Sequence, residues 1–249
     1  MKTILLPLAS FIFITSFAQK FSLTSRANMN TAVGEQVGKF KNAYGLGFGF
    51  EIPIKKIPSL KLVMNADAGI NGMRSMPYEF EFQNTLTKTE INYSSDVLEI
   101  TTGLRYIFNE SKKLQPYTGI GVGMLRYSTN YEIEDPKNPD GCDAIESEKI
   151  LADESLIGKI EAGLRYTSNW QIYLRNVSFD VGVRYINGTT AKYMRLSNIH
   201  TETGADYSVK FKSSSNEVHE HAIGKMYNTP VNQLGFHIGM VIPFGCYAK

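Results

Sequence analysis

The chain has 249 residues, a formal net charge of +2, 20% charged and 43% hydrophobic residues, 21 glycines and two cysteines. Lysines and arginines are interspersed among acids, so there is no basic stripe of the kind that binds nucleic acid. Beyond residue 18 no run of 18 consecutive apolar residues occurs, which excludes a bundle of transmembrane helices.

Residues 1–18 read as a secretory signal peptide. Lys2 supplies the positive end, Ile4 to Phe17 form an apolar stretch too short to span a bilayer as a helix, and the small Ser16 and Ala18 place cleavage before Gln19. The expected organisation is therefore a leader, 1–18, and a single domain, 19–249.

Eight segments then alternate apolar and polar residues, the signature of strands with two unlike faces. In chain order they are Phe21 to Thr31, Tyr44 to Ile54, Leu60 to Gly72, Val97 to Phe108, Gln115 to Ser128, Leu156 to Tyr166, Val177 to Ile186 and Gln233 to Phe244. Upstream of the fourth, Ile91 to Ser95 change phase, which suggests a bulge or a loop extension. The connections 32–43, 73–96, 129–155 and 187–231 are long and alternate with short turns. That alternation predicts an all-β fold: an eight-stranded antiparallel up-and-down transmembrane β-barrel with long outer loops. Ala205 to Ser213 also alternates well enough to form a hairpin with Ala191 to Leu196, so ten strands stay open.

The polar strand faces carry Arg26, Lys61, Arg105, Lys159, Arg165 and Arg184, together with Glu51, Asp67, Glu99, Glu161 and Asp180; His237 shares that side. One Arg or Lys facing lipid at the midplane costs about 2–4 kcal/mol. These side chains must therefore face inward. The interior of eight strands is just wide enough to be filled by side chains, and the near-balance of charge predicts a plugged, ion-paired lumen with pairing across strands. Inward glycines at 45, 47, 49, 119, 121 and 123 would make room for the arginines. Arg126 breaks the phase and falls near the outer rim, where it can snorkel. Tyr106 and Tyr166 are expected at the inner membrane–water interface, Tyr185 at the outer one, and Phe244 closes the last strand as a further interface aromatic. The competing arrangement is a soluble lipocalin-type barrel, with the apolar side chains inside and the charged faces outside.

Four segments share a tag: Gly103-Leu104-Arg105-Tyr106, Met124-Leu125-Arg126-Tyr127, Gly163-Leu164-Arg165-Tyr166 and Gly182-Val183-Arg184-Tyr185. With the Gly-x-Gly-x-Gly strands and the closing Gly235-Phe236-His237-Ile238-Gly239-Met240-Val241-Ile242-Pro243-Phe244, they resemble the outer-membrane β-barrel domain family, with its PorT-like and OmpA- or OmpX-like members. The resemblance covers nearly the whole chain after the leader. It implies insertion into the bacterial outer membrane by the barrel-assembly machinery, which reads the aromatic-ended last strand. It implies no single activity, since members serve as anchors, adhesins and secretion-system subunits.

Other chemistry-bearing groups carry weaker signals. Acids crowd 129–155, where Asn138-Pro139-Asp140-Gly141-Cys142-Asp143 has a calcium-loop flavour without the full ligand spacing. His219-Glu220-His221, with Glu217 nearby, suits a metal but sits in a loop. Ser197, His200 and Glu202 are close in sequence without the order of a catalytic triad. Cys142 and Cys246 fall at opposite ends of the barrel, too far apart for a disulfide. The expectation is a protein with no catalytic residue, metal or cofactor, in contact with outer-membrane lipid and binding a protein partner through 129–155 and 187–231. An accessory subunit of a secretion or assembly complex is the alternative, ahead of a lipid-modifying enzyme or a small porin.

Overall fold

The computed structural model describes residues 21–82, 85–135, 144–172, 175–196, 207–212 and 218–244. Within them the strands are β1 (Phe21–Ala32), β2 (Ala43–Ile54), β3 (Ile57–Phe82), β4 (Thr85–Ile107), β5 (Leu114–Glu134), β6 (Ala144–Ile172), β7 (Arg175–Leu196), β8 (Tyr207–Lys212) and β9 (Val218–Phe244). Neighbours pair antiparallel in the order β1 to β7, then β9, and β1 pairs with β9 to close the ring. That seam runs unbroken from Phe21 opposite Phe244 to Ala32 opposite Gln233. Eight strands thus form a closed barrel, which leaves no sheet edge inside it.

β8 stands outside the ring. It pairs with the start of β9, Lys212 opposite Val218, and not with Ala191 to Leu196, which lie opposite Thr229 to Gly224. The ten-stranded variant is therefore excluded.

The two strand faces sort by polarity as lipid demands. Leu46, Phe48, Ile120, Ile160 and Ile238 are each about 60% exposed on the outside, while Glu51, Arg105 and Arg184 are at most 2% exposed inside. A soluble lipocalin-type barrel needs the opposite sorting. In water this belt would be a large unsatisfied apolar surface; against acyl chains it is the low-energy arrangement.

The strands are longer than their sequence pattern indicates. β3, β4, β6 and β9 have 26, 23, 29 and 27 residues, against the 9–11 that cross a bilayer. Most of 73–96 and 129–155, and much of 187–231, continue as strand, so they are not loops. The cause lies in β4. In its membrane part Leu98, Ile100 and Leu104 point out, whereas above it Ile91, Tyr93 and Val97 are buried inside. Its register against β5 is continuous from Ile91 opposite Ile133 to Ile107 opposite Tyr117. The change of phase at Ile91 to Ser95 is thus no bulge in β4. The polarity of the faces inverts where the strand passes from lipid into water. The register irregularity lies in β3, between Ile70 and Gly72.

Two apolar clusters fill this outer part. One, at the mouth, includes Phe40, Val97, Leu125, Tyr127, Ile157, Ile186, Tyr193 and Val231. The other, further out, includes Met76, Ile91, Tyr93, Tyr131, Ile133, Met194, Leu196 and Ile223. After a register shift between Asn187 and Thr190, the paired outer parts of β7 and β9 pack across onto the outer parts of β3, β4 and β5. Ser95 donates to the Met194 carbonyl at 3.3 Å and Arg74 to the Ile223 carbonyl at 3.0 Å.

The leader 1–18, both cysteines, the 138–143 segment, Ser197, His200, Glu202 and Glu217 lie outside the described residues, as do the side chains of His219, Glu220 and His221.

Candidate functional site: a filled lumen and its outer cap

The inner half of the lumen is built around Arg105 on β4. Its guanidinium meets Glu51 of β2 at 2.6 Å, Glu161 of β6 at 2.6 Å and Asp180 of β7 at 3.4 Å. Arg165 of β6 grips Glu51 with two bonds, 2.8 and 2.7 Å, and Asp180 at 2.9 Å. Such paired donors hold a carboxylate in one orientation. Tyr117 of β5 lies beneath, its ring 4.4 Å from the Arg105 guanidinium carbon. Its hydroxyl donates to Asp180 at 2.6 Å and sits 2.9 Å from His237 Nε2.

The outer half repeats the scheme. Arg26 of β1 pairs with Asp67 of β3 through a two-pronged contact. Arg184 of β7 reaches Asp67 at 3.1 Å and Glu99 at 3.3 Å, and its other bonds go to Asn30. Lys159 of β6 bridges Glu99 at 3.4 Å and Thr101 at 2.8 Å. Five cations thus face five anions, nearly all between strands that are not sequence neighbours. Glu161 and Arg165 on β6, like Asp180 and Arg184 on β7, do not pair with each other; Glu161 pairs with Arg105, and Arg184 with Asp67 and Glu99.

Lys61 does not join this network. It meets Glu110 of the β4–β5 turn at 3.4 Å, at the inner mouth.

Glycines set the space. A Cβ on Gly47 would run into the Asp67 carboxylate, and one on Gly235 would lie 2.6 Å from Arg184 Cγ and Nε. One small cavity beside Arg26, Arg105, Asp180 and His237 and another beside Lys159 and Glu161 hold about 10 Å³ each, the lower limit for a single water. Two larger depressions, of 790 and 530 Å³, lie on the lipid-facing exterior.

A cap closes the outer mouth. The connection after β1 makes a single 3-10 turn, Gly34–Gln36, and folds inward, contrary to its reading as an outward loop. Gln36 is fully buried. Its side chain accepts from the Asn232 backbone at 3.0 Å and donates to the Tyr127 hydroxyl at 3.4 Å, which Gln233 also reaches at 2.8 Å. Phe40 packs edge-on against Tyr127 and Tyr193, both at 5.7 Å. Arg195 donates to the Gly38 carbonyl. None of these contacts is visible in strand periodicity. Tyr117 had a faint signal, since it shares the parity of Gly119, Gly121 and Gly123.

The aromatic residues expected at the membrane boundaries are at the ends of the apolar belt. Tyr106 packs edge-on against Phe108 at 4.9 Å, Phe244 stacks on Phe21 at 5.6 Å across the seam, and Tyr166 is exposed. At the other end the Tyr185 hydroxyl donates to Asn232 at 2.9 Å, and Arg126, facing out, lies 3.8 Å from Glu154. Beyond the membrane the Tyr131 phenol is held above its ordinary range by burial and by its bond to Glu146, with Glu148 beside it. Among the described residues, no group of three His, Cys, Asp or Glu is placed to hold a metal.

No family model and no curated protein matches the chain. Solved structures similar to it include Neisserial surface protein A, at 13% identity over 91% of this chain and 97% of that one with a TM-score of 0.45. OprG from Pseudomonas aeruginosa is similar at 14% identity, 92% and 97% coverage and a TM-score of 0.43. A major outer membrane protein from Thermus thermophilus gives 11% identity, 91% and 100% coverage and a TM-score of 0.43.

Proposed function

We propose that this chain is a non-enzymatic integral protein of the bacterial outer membrane. Its barrel is a closed anchor, and its strand-built outer extension binds a partner or steadies the envelope. The observation that carries this reading is the filled lumen, where ten charged side chains compensate one another and two small cavities among them have room for about one water each. A conduit needs an open path, and here an apolar cap stands above an ionic plug. The outer-membrane location rests on the apolar belt, the inward charges and the short turns at one end of the barrel. Insertion by the barrel-assembly machinery, with β9 as the strand it reads, belongs to the same proposal.

The test is electrical. The purified protein, refolded into planar bilayers, is expected to give no stable single-channel steps of porin size at moderate voltage. Reproducible open channels of that size would overturn the closed-anchor reading.

A further inference from the structure

The β5–β6 ladder continues outward to Glu134 opposite Ala144, but the β6–β7 ladder ends at Ile157 opposite Gly188. Residues 144–152 of β6 are therefore held along one edge. Along the other they have no ladder partner among the described residues. The fork between β6 and β7 is built and not frayed. Thr189 Oγ1 accepts from the Leu156 amide at 3.1 Å, Ser155 donates to the Thr189 carbonyl at 2.8 Å, and Asp153 accepts from the Lys192 amide at 2.8 Å. Ile150 and Leu151 rest on the outer apolar cluster, so the strand is fixed in place, and its edge over 144–152 has no ladder partner among the described residues.

An exposed edge of this length is a template for another strand, and proteins usually blunt such edges with proline or charge. The edge of β3 above Ile70, also without a ladder partner among the described residues, carries Pro77. The β6 segment has neither proline nor glycine from 144 to 152, and its charges there are mainly acidic: Glu146 and Glu148 against Lys149. Two copies laid edge to edge would oppose acid with acid, which disfavours self-pairing. A basic strand would be favoured by the same charges.

We infer that the outer edge of β6, residues 144–152, takes up an extended, lysine- or arginine-bearing segment of another polypeptide as an added β-strand. This rests on the reading of the outer extension as a binding element and names the chemistry of what it binds. Main-chain hydrogen bonds would supply affinity, and the acids the selectivity.

The experiment uses the protein in lipid nanodiscs and a fluorescent ten-residue peptide alternating Lys and Thr. Two further peptides serve as comparisons: Lys alternating with Pro, of equal charge but unable to complete a ladder, and Glu alternating with Thr. Anisotropy should show the Lys-Thr peptide binding at least about ten-fold more tightly than either comparison peptide. Glu146→Lys with Glu148→Lys should reduce that binding at least about ten-fold. Lys149→Pro should abolish it, with folding checked by heat-dependent gel mobility; if that variant does not fold, the double Glu variant decides. Absence of binding, equal binding of the Lys-Pro peptide, or unchanged binding by the double variant would each overturn the inference. So would efficient disulfide cross-linking of two copies carrying Lys149→Cys. None of these results bears on the conductance measurement, so the closed-anchor reading stands or falls separately.

Discussion

Replacing Arg105 with methionine keeps much of the side-chain volume and removes the charge at the centre of the inner network. Glu51 keeps Arg165, and Asp180 keeps Arg165, Tyr117 and His237, whereas Glu161 loses the guanidinium that holds it at 2.6 Å. Removing one partner of a buried pair costs about 3–5 kcal/mol because the other charge is stranded. A stranded carboxylate can instead take up a proton. For an ordinary carboxylate at pH 7 that costs about 1.36 kcal/mol for each of roughly 2.7 pH units, about 3.7 kcal/mol, which sets the ceiling for Glu161. The expected loss is therefore about 3–4 kcal/mol. With an unfolding slope of about 1–3 kcal/mol per M urea, the midpoint should fall by about 1 M or more. The assay is urea unfolding in lipid vesicles, followed by gel mobility and by the single tryptophan, Trp170, which stacks near Phe179 at the inner rim. Adding Glu161→Gln to Arg105→Met removes the stranded charge and should restore about 1–3 kcal/mol of the loss, a non-additivity of the size found for residues in contact. Arg105→Met within about 0.5 kcal/mol of the parent, or a double variant whose losses simply add, would refute the ion-paired lumen.

Phe48→Arg, in the middle of the apolar belt, should cost about 2–4 kcal/mol in the same assay, while Met73→Arg, equally exposed but above the membrane, should stay within about 0.5 kcal/mol; equal effects would misplace the boundary. Phe40→Ala removes the ring that packs on Tyr127 and Tyr193 and should open the 33–42 segment to trypsin at Lys39 and Lys41 while the barrel keeps its compact gel mobility; unchanged resistance would count against the cap. The fold favours the neutral form of the Tyr131 phenol, through burial first and the Glu146 bond second. Its contribution is complete below the ordinary tyrosine value of 10.0 and is lost as pH rises beyond it. The alkaline absorption difference between the parent and Tyr131→Phe should show one phenol titrating above the ordinary range, and titration at the ordinary value would contradict the geometry.

Period-2 alternation made the membrane part legible because lipid outside and charge inside is a strong, uniform rule. It placed Arg26, Glu51, Asp67, Glu99, Arg105, Lys159, Glu161, Arg165, Asp180, Arg184 and His237 on the inward face, where the structure has them. It was silent on which cation meets which anion, since the contacts span strands far apart in sequence. Lys61 shows the limit: its parity is inward, yet it lies at the inner mouth and finds Glu110 of a turn instead of the core. The outer extension was misread for a different reason. Above the membrane the solvent changes sides, so Ile91, Tyr93 and Val97 obey the ordinary apolar-inside rule, and a change of solvent looks in sequence like a slipped register.

That inversion has an energetic consequence for the lumen. Two unit charges 4 Å apart attract by about 1 kcal/mol in bulk water and about 4 kcal/mol at an effective dielectric constant of 20. The ion pairs between Arg184, Asp67, Glu99 and Lys159 keep the larger value only while bulk water is kept from them. On the outer side that exclusion falls to Phe40, Leu125, Tyr127, Ile157, Ile186 and Tyr193. These residues come from the β1–β2 connection and from β5, β6 and β7, so the seal exists only when the outer parts of those strands are assembled. The outer extension and the ionic core are therefore thermodynamically coupled: loosening the apolar mouth weakens charges that lie further down the barrel and touch none of the altered residues. The outer surface thus stands on a base that resists deformation, because any rearrangement reaching the mouth is opposed by the cost of wetting the network beneath it.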